Sequence, residues 1–172
     1  MPDVDPQPRS VVEKQFLTIH HLENYPDTHF LVGGFKDKKH LDWVFSRLGG
    51  KRDDAYNVRL GKDVSGGVVK SRDYIKHAKF VLLYEFGKEN EGIQFAFRVK
   101  NTGVLTKAQM EATGYDNPKH DEYFCYFFDE EIQLGEFDVE RIIEFDKERY
   151  RQEYAEGRPI FIKGKELKDY RK

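Results

Sequence analysis

A chain of 172 residues with 29 Lys and Arg against 31 Asp and Glu carries a formal charge of −2, and 38% of it is apolar, which suits one domain able to bury a core. No apolar run approaches the roughly 18 residues of a membrane span, and a lone cysteine, Cys125, excludes an internal disulfide framework and any multi-cysteine zinc site. The opening MPDVDPQPRS holds three prolines and no apolar stretch, so it reads as a frayed tail rather than a signal peptide or anchor, and the chain as cytoplasmic.

In chain order, HFLVGGF (29–35) predicts a short strand ending in a Gly pair. DKKHLDWVFSRLGG (37–50) predicts a helix capped by Asp37, with Leu41, Val44, Phe45 and Leu48 on one stripe and Gly49 as the stop. AYNVRL alternates as a strand, KDVSGG is a turn before a short VVK strand, and SRDYIKHA is a brief helix or turn. KFVLLYEF and GIQFAFRVK alternate in period two and are joined by GKENEG, which predicts a hairpin. In TKAQMEATG, Thr106 and Gln109 have capping-box spacing. The loop GYDNPKHDE leads into YFCYFF (123–128), a strand with rings on both faces and therefore covered on both. A long helix follows, capped by Asp138, with Phe137 and Ile142 spaced as a hydrophobic staple and Gly157 closing it. RPIFIKG is a last short strand before a terminal basic helix. Closely spaced strands without regular helical crossovers argue against a doubly wound sheet and for a small curved or closed, mostly antiparallel barrel-like sheet with flanking helices, an α+β fold. Residues 1–28 read as an N-terminal extension, 29–136 as the barrel domain, and 137–172 as helix, strand and basic helix packed on it.

Charge is distributed unevenly. Residues 51–80 hold eight Lys and Arg against four Asp, whereas 129–156 hold eleven acids against four bases. The basic stretch suits an anionic partner or a solvated surface with local salt pairs. Few residues suggest a reaction. The two acid-x-Lys triplets, Asp37-Lys38-Lys39 and Glu166-Leu167-Lys168, fall in helical segments, against a metal-dependent nuclease centre. His20, His21, His29 and Asp27 lack the spacing of a metal-binding helix, and Cys125 between Phe124 and Tyr126 reads as a small buried apolar residue. No Walker-type loop is present. Trp43 lies off its helix's apolar stripe and so packs on a second layer of the domain or contacts a ligand or partner.

From Lys79 onward the series KFVLLYEFG, EGIQFAFRVKNTGVL and MEATGYDNPKHDEYFCYFF resembles the core of the PUA-like superfamily, most nearly its EVE-type domains. The shared pattern is an apolar strand ending in Tyr, a strand opening on Gly-Ile, and a Tyr-Asp-x-Pro-Lys loop before an aromatic strand, over roughly residues 29–136. The resemblance implies a small β-barrel without a catalytic centre or cofactor, whose pocket accepts a base, often a modified one, flipped from DNA or RNA. Flipped bases want aromatic walls and nearby cations. On the matching stretches this places Tyr84, Tyr115, Asp116 and Tyr123, with Trp43, at the ligand, and Arg59, Lys62, Lys70 and Arg72 at the phosphates. The chain departs from the pattern in not being basic overall and in lacking an early strand Trp unless Trp43 replaces it. The alternatives are a metal-dependent hydrolase of nucleotides or nucleic acid, and a protein-interaction subunit or homodimer that docks through Trp43 and the acidic helix 138–156.

Overall fold

The computed structural model describes residues 17–18, 22–45, 54–60, 77–115, 117–119, 121–151 and 158–172. Among the described residues seven strands make one mixed, curled sheet: β1 (Leu17–Thr18), β2 (His29–Phe35), β3 (Asp54–Leu60), β4 (Phe80–Glu85), β5 (Phe95–Thr106), β6 (Glu122–Gln133) and β7 (Ile160–Lys163). Helices α1 (Lys38–Phe45), α2 (Lys107–Ala112), α3 (Val139–Arg149) and α4 (Gly164–Leu167) pack around it. The strand order is β1-β6-β5-β4-β2-β7, with β3 also on β6. Pairings β1–β6 and β2–β4 are parallel, and the rest are antiparallel. This is the α+β, curved and mostly antiparallel arrangement expected. Among the described residues no pairing joins β7 to β1 or β3, so of the two alternatives, curved or closed, they show the curved one.

The curl has a local cause. Val99 pairs with Phe128, but Arg98 pairs with Glu130 and Asn101 with Phe127, so Asp129 on β6 and Lys100 on β5 are each an extra residue. Two bulges this close bend both strands and sharpen their twist. Both strands are 12 residues long, and β5 runs past the expected GIQFAFRVK through Asn101–Thr106.

Alternation in the central strands builds two cores. Leu31, Val81, Leu83 and Phe97 join one cluster with Val44, Met110 and the aromatic strand. Phe30, Val32, Leu82, Tyr84 and Ala96 join another, with Phe137, Ile142, Ile160 and Leu167. Phe97 and Phe128 stack at 4.4 Å in the first, and Phe30 and Phe80 at 4.9 Å in the second. A sheet packed on both faces accounts for the ring-rich composition, since each central strand must be apolar on both sides. YFCYFF follows suit: Tyr123, Phe124, Cys125 and Tyr126 are all buried, and Cys125 Sγ sits 3.7 Å from Met110 Sδ as an enclosed thiol.

Local signals set the helices. Gln109 N donates to Thr106 Oγ1 while Thr106 N donates to Gln109 Oε1, so α2 opens on the expected capping box. Arg141 N donates to Asp138 Oδ1 at the start of α3, and the staple residues Phe137 and Ile142 are both fully buried in the second core. The expectations for VVK and for Gly49 as a helix stop lie outside the described residues.

Two expectations are corrected. Residues 1–28 are not all an extension: Leu17–Thr18 pairs with Ile132–Gln133, Leu22 is fully buried, and Tyr25 meets Phe80 edge-on at 5.7 Å. The helix expected to close at Gly157 ends instead at Arg149, where the backbone of Tyr150 leaves helical geometry and Tyr150 and Arg151 form a turn. β2 has the expected bounds, with its glycines inside the pairing: Gly34 pairs with Tyr84 and Phe35 with Glu85. Phe86 lies where a side chain at Gly34 would project, so the strand passes beneath that ring only as glycine.

Candidate functional site

Three of the expected aromatic residues come together, although they arise on a helix, a loop and a strand. Trp43 on α1, Tyr115 after α2 and Tyr123 at the start of β6 all belong to the first core. The Trp43 and Tyr115 rings meet at 5.1 Å and 89°, and Tyr115 and Tyr123 at 5.5 Å and 52°. Edge-to-face and tilted contacts at these spacings are favourable ring geometries. Burial is graded across the group. Trp43 is 5% exposed and Tyr123 2%, whereas Tyr115 is only half-buried and is the outermost of the three.

Their polar atoms fasten the intervening loop. Trp43 Nε1 donates to Thr113 Oγ1 at 3.0 Å, and that hydroxyl donates onward to Met110 O at 2.6 Å. Lys119 N donates to Tyr123 Oη at 2.9 Å. The segment carrying Tyr115 is thus tied to Trp43 at one end and to Tyr123 at the other, with Gly114 (φ 88) and Asn117 (φ 49) in left-handed backbone between. Pro118 of the same loop is buried. Thr113 and Lys119 were not anticipated as site-forming residues. Their sequence signal is faint, because Thr113 meets a ring from a distant part of the chain and Lys119 acts through its backbone N, which every residue type but proline carries.

Trp43 therefore takes the second-layer position. Its helix is enclosed on two sides, with Val44 buried and Leu41 partly buried against the same core, so no exposed indole is offered for docking a partner. Tyr84 does not join the corner. It is 2% exposed, belongs to the second core and meets Phe86 edge-on at 5.6 Å, so its place as a ligand-binding residue is withdrawn. Alternation is the reason: Val81 and Leu83 face the first core, and Leu82 and Tyr84 the second. Arg59 is the register partner of Tyr123 across β3–β6, as Leu105 is across β5–β6. Asp116, Lys62, Lys70 and Arg72 lie outside the described residues.

Charged groups elsewhere are engaged in the fold. Asp146 of α3 is 1% exposed, with Arg158 Nε 3.2 Å from its Oδ2 and the Arg158 guanidinium 4.2 Å over the Tyr150 ring. Burial pushes the Asp146 carboxyl above its ordinary value, against the pull of Arg158 and Arg149. Burial also holds His29 below its ordinary value, helped by Lys163, its register partner, and opposed by Glu166. A shallow groove of about 270 Å³ lies on α3, lined by Arg141, Glu144, Phe145, Glu148 and Tyr170. Among the described residues no group of three or more His, Cys, Asp or Glu is placed to hold a metal ion, and no helix is long and apolar enough to cross a membrane.

No family model matches this chain, and no curated protein and no solved structure matches it.

Proposed function

We propose that this protein is a non-enzymatic module that binds nucleic acid and seats a planar base at the Trp43–Tyr115–Tyr123 corner. The observation that carries the reading is the convergence of three rings from separate segments at the one end of β6 that is in register with Arg59. Base stacking on aromatic side chains is sequence-tolerant and contributes about 1–3 kcal/mol per base, and phosphate contacts add a salt-dependent attraction. In sequence, the eight Lys and Arg of residues 51–80 flank and include Arg59, and this reading assigns the phosphates to them. The resemblance to EVE-type domains supports the same reading, with a flipped or modified base as the occupant.

The chain contains one tryptophan, so its intrinsic tryptophan fluorescence reports on this corner alone. Titration with mixed-sequence single-stranded DNA and RNA should change Trp43 emission, with an affinity that falls as salt rises. Arg59→Ala together with Arg72→Ala should weaken binding and flatten the logarithmic salt dependence by about one for each phosphate that is no longer neutralised. Salt-independent binding, or emission that stays constant at saturating oligonucleotide, would remove the reading.

A further inference from the structure

We propose that Lys107 and Lys119 hold phosphates of the strand whose base is seated at the ring corner, so that the site takes a single-stranded nucleic acid rather than a free base. This rests on the base-binding reading above and adds two cations to those of residues 51–80. Both lysines are set at the corner by backbone bonds. Lys119 N donates to Tyr123 Oη at 2.9 Å, so this residue starts from the tip of one of the three rings. Lys107 opens α2 just after the Leu105–Tyr123 and Thr106–Glu122 register pairs, and its N donates to Asp121 O at 3.0 Å. The two are thus attached to the same end of β6, one through the loop and the other through β5 and α2.

Local structure leaves both side chains in water. Pro118 is buried while its neighbours Asn117 and Lys119 are exposed, and Asn117 stands in left-handed backbone (φ 49). A buried proline of fixed φ, followed by a bonded N–H, sets the point at which Lys119 leaves the corner, and its flexible stem carries the charge from there. Lys107 is exposed as well. Among the described residues neither ammonium is engaged by an ion pair, a hydrogen bond or a ring, although the exposed Asp121 belongs to the same strand end. By contrast, Lys88 pairs with Glu85 and Lys165 with Asp27. The rings supply stacking to the base, and the two lysines supply attraction to the backbone that carries it, released counterions making that attraction fall with salt.

The test titrates three double variants with single-stranded DNA or RNA, whichever wild type binds, following Trp43 emission over a range of salt concentrations. Lys107→Gln with Lys119→Gln removes the two charges, and Lys107→Arg with Lys119→Arg keeps them. Lys147→Gln with Lys172→Gln makes the same change of net charge at exposed positions on and beside α3. In the first variant the slope of log affinity against log salt should be shallower than in wild type by about 1.4, about 0.7 for each phosphate no longer neutralised on a single strand. Its emission change at saturation and its Tm should stay those of wild type, and the other two variants should keep the wild-type slope. A wild-type slope in the first variant would overturn the phosphate role while leaving base binding intact. An equal drop in the Lys147 and Lys172 variant would assign the effect to net charge and overturn it too, as would a loss in the arginine variant equal to that in the glutamine one. No binding by wild type would overturn both readings.

Discussion

Gly34 shows how much one missing side chain decides. The Phe86 ring occupies the space above it, and Phe86 in turn meets Tyr84 edge-on, so the glycine, the ring and the buried tyrosine form one packed unit in the second core. Gly34→Ala should lower stability by about 1–3 kcal/mol, the usual cost of overpacking, read as a shifted urea midpoint. In a Phe86→Leu background the loss should shrink, because the two sites share one space and their effects are coupled. Equal losses in both backgrounds would mean that the ring is not what the added methyl meets. The same unit explains why Tyr84 misled as a site residue. A tyrosine at a strand end has the composition of a pocket wall, but its face is fixed by strand parity, and parity points it into the second core.

At the scale of elements, what was legible followed from local chemistry. The α2 capping box, the Asp138 cap and the Phe137–Ile142 staple could be read because the interacting residues lie within one turn or two of each other. Thr106→Ala should cost about 1 kcal/mol, seen as a lower urea midpoint with an unchanged denaturant slope. An unchanged midpoint would show α2 held by Met110 packing alone. The 29–35 and 80–85 strands, and the 123–128 part of 122–133, were legible through aromatic and β-branched runs. β1 was not, because two residues paired to Ile132 and Gln133 carry no pattern of their own. Trp43 takes the second-layer position that was one of its two expected places, but what covers it was not legible: one apolar stripe assumes one buried face, and α1 is covered on a second side by the loop that Thr113 and Tyr115 begin. Of the corner, the ring residues were visible and their meeting was not. That meeting depends on how the curled sheet brings α1 to the start of β6.

For the whole molecule, two titrating groups oppose each other. His29 has a folded value below its ordinary 6.5, so its contribution to stability is present above that pH and is lost as pH falls through the folded value. Asp146 has a folded value above its ordinary 3.8, so its contribution is present at low pH and is lost as pH rises through the folded value. His29→Gln should therefore lessen the loss of stability between pH 7.5 and 5, measured by urea denaturation at each pH. A variant whose pH profile overlays that of wild type would show that His29 does not carry that dependence. The sheet's connectivity has a further consequence for biosynthesis. β6 is the shared neighbour of β1, β3 and β5, and β2 also waits for β7. Since chains emerge from the ribosome amino end first, a nascent polypeptide halted near residue 120 holds strands whose hydrogen-bonding mates have not yet been made. Its sheet is completed only once β6 and β7 have emerged, and until then the exposed strand edges are open to holdase chaperones.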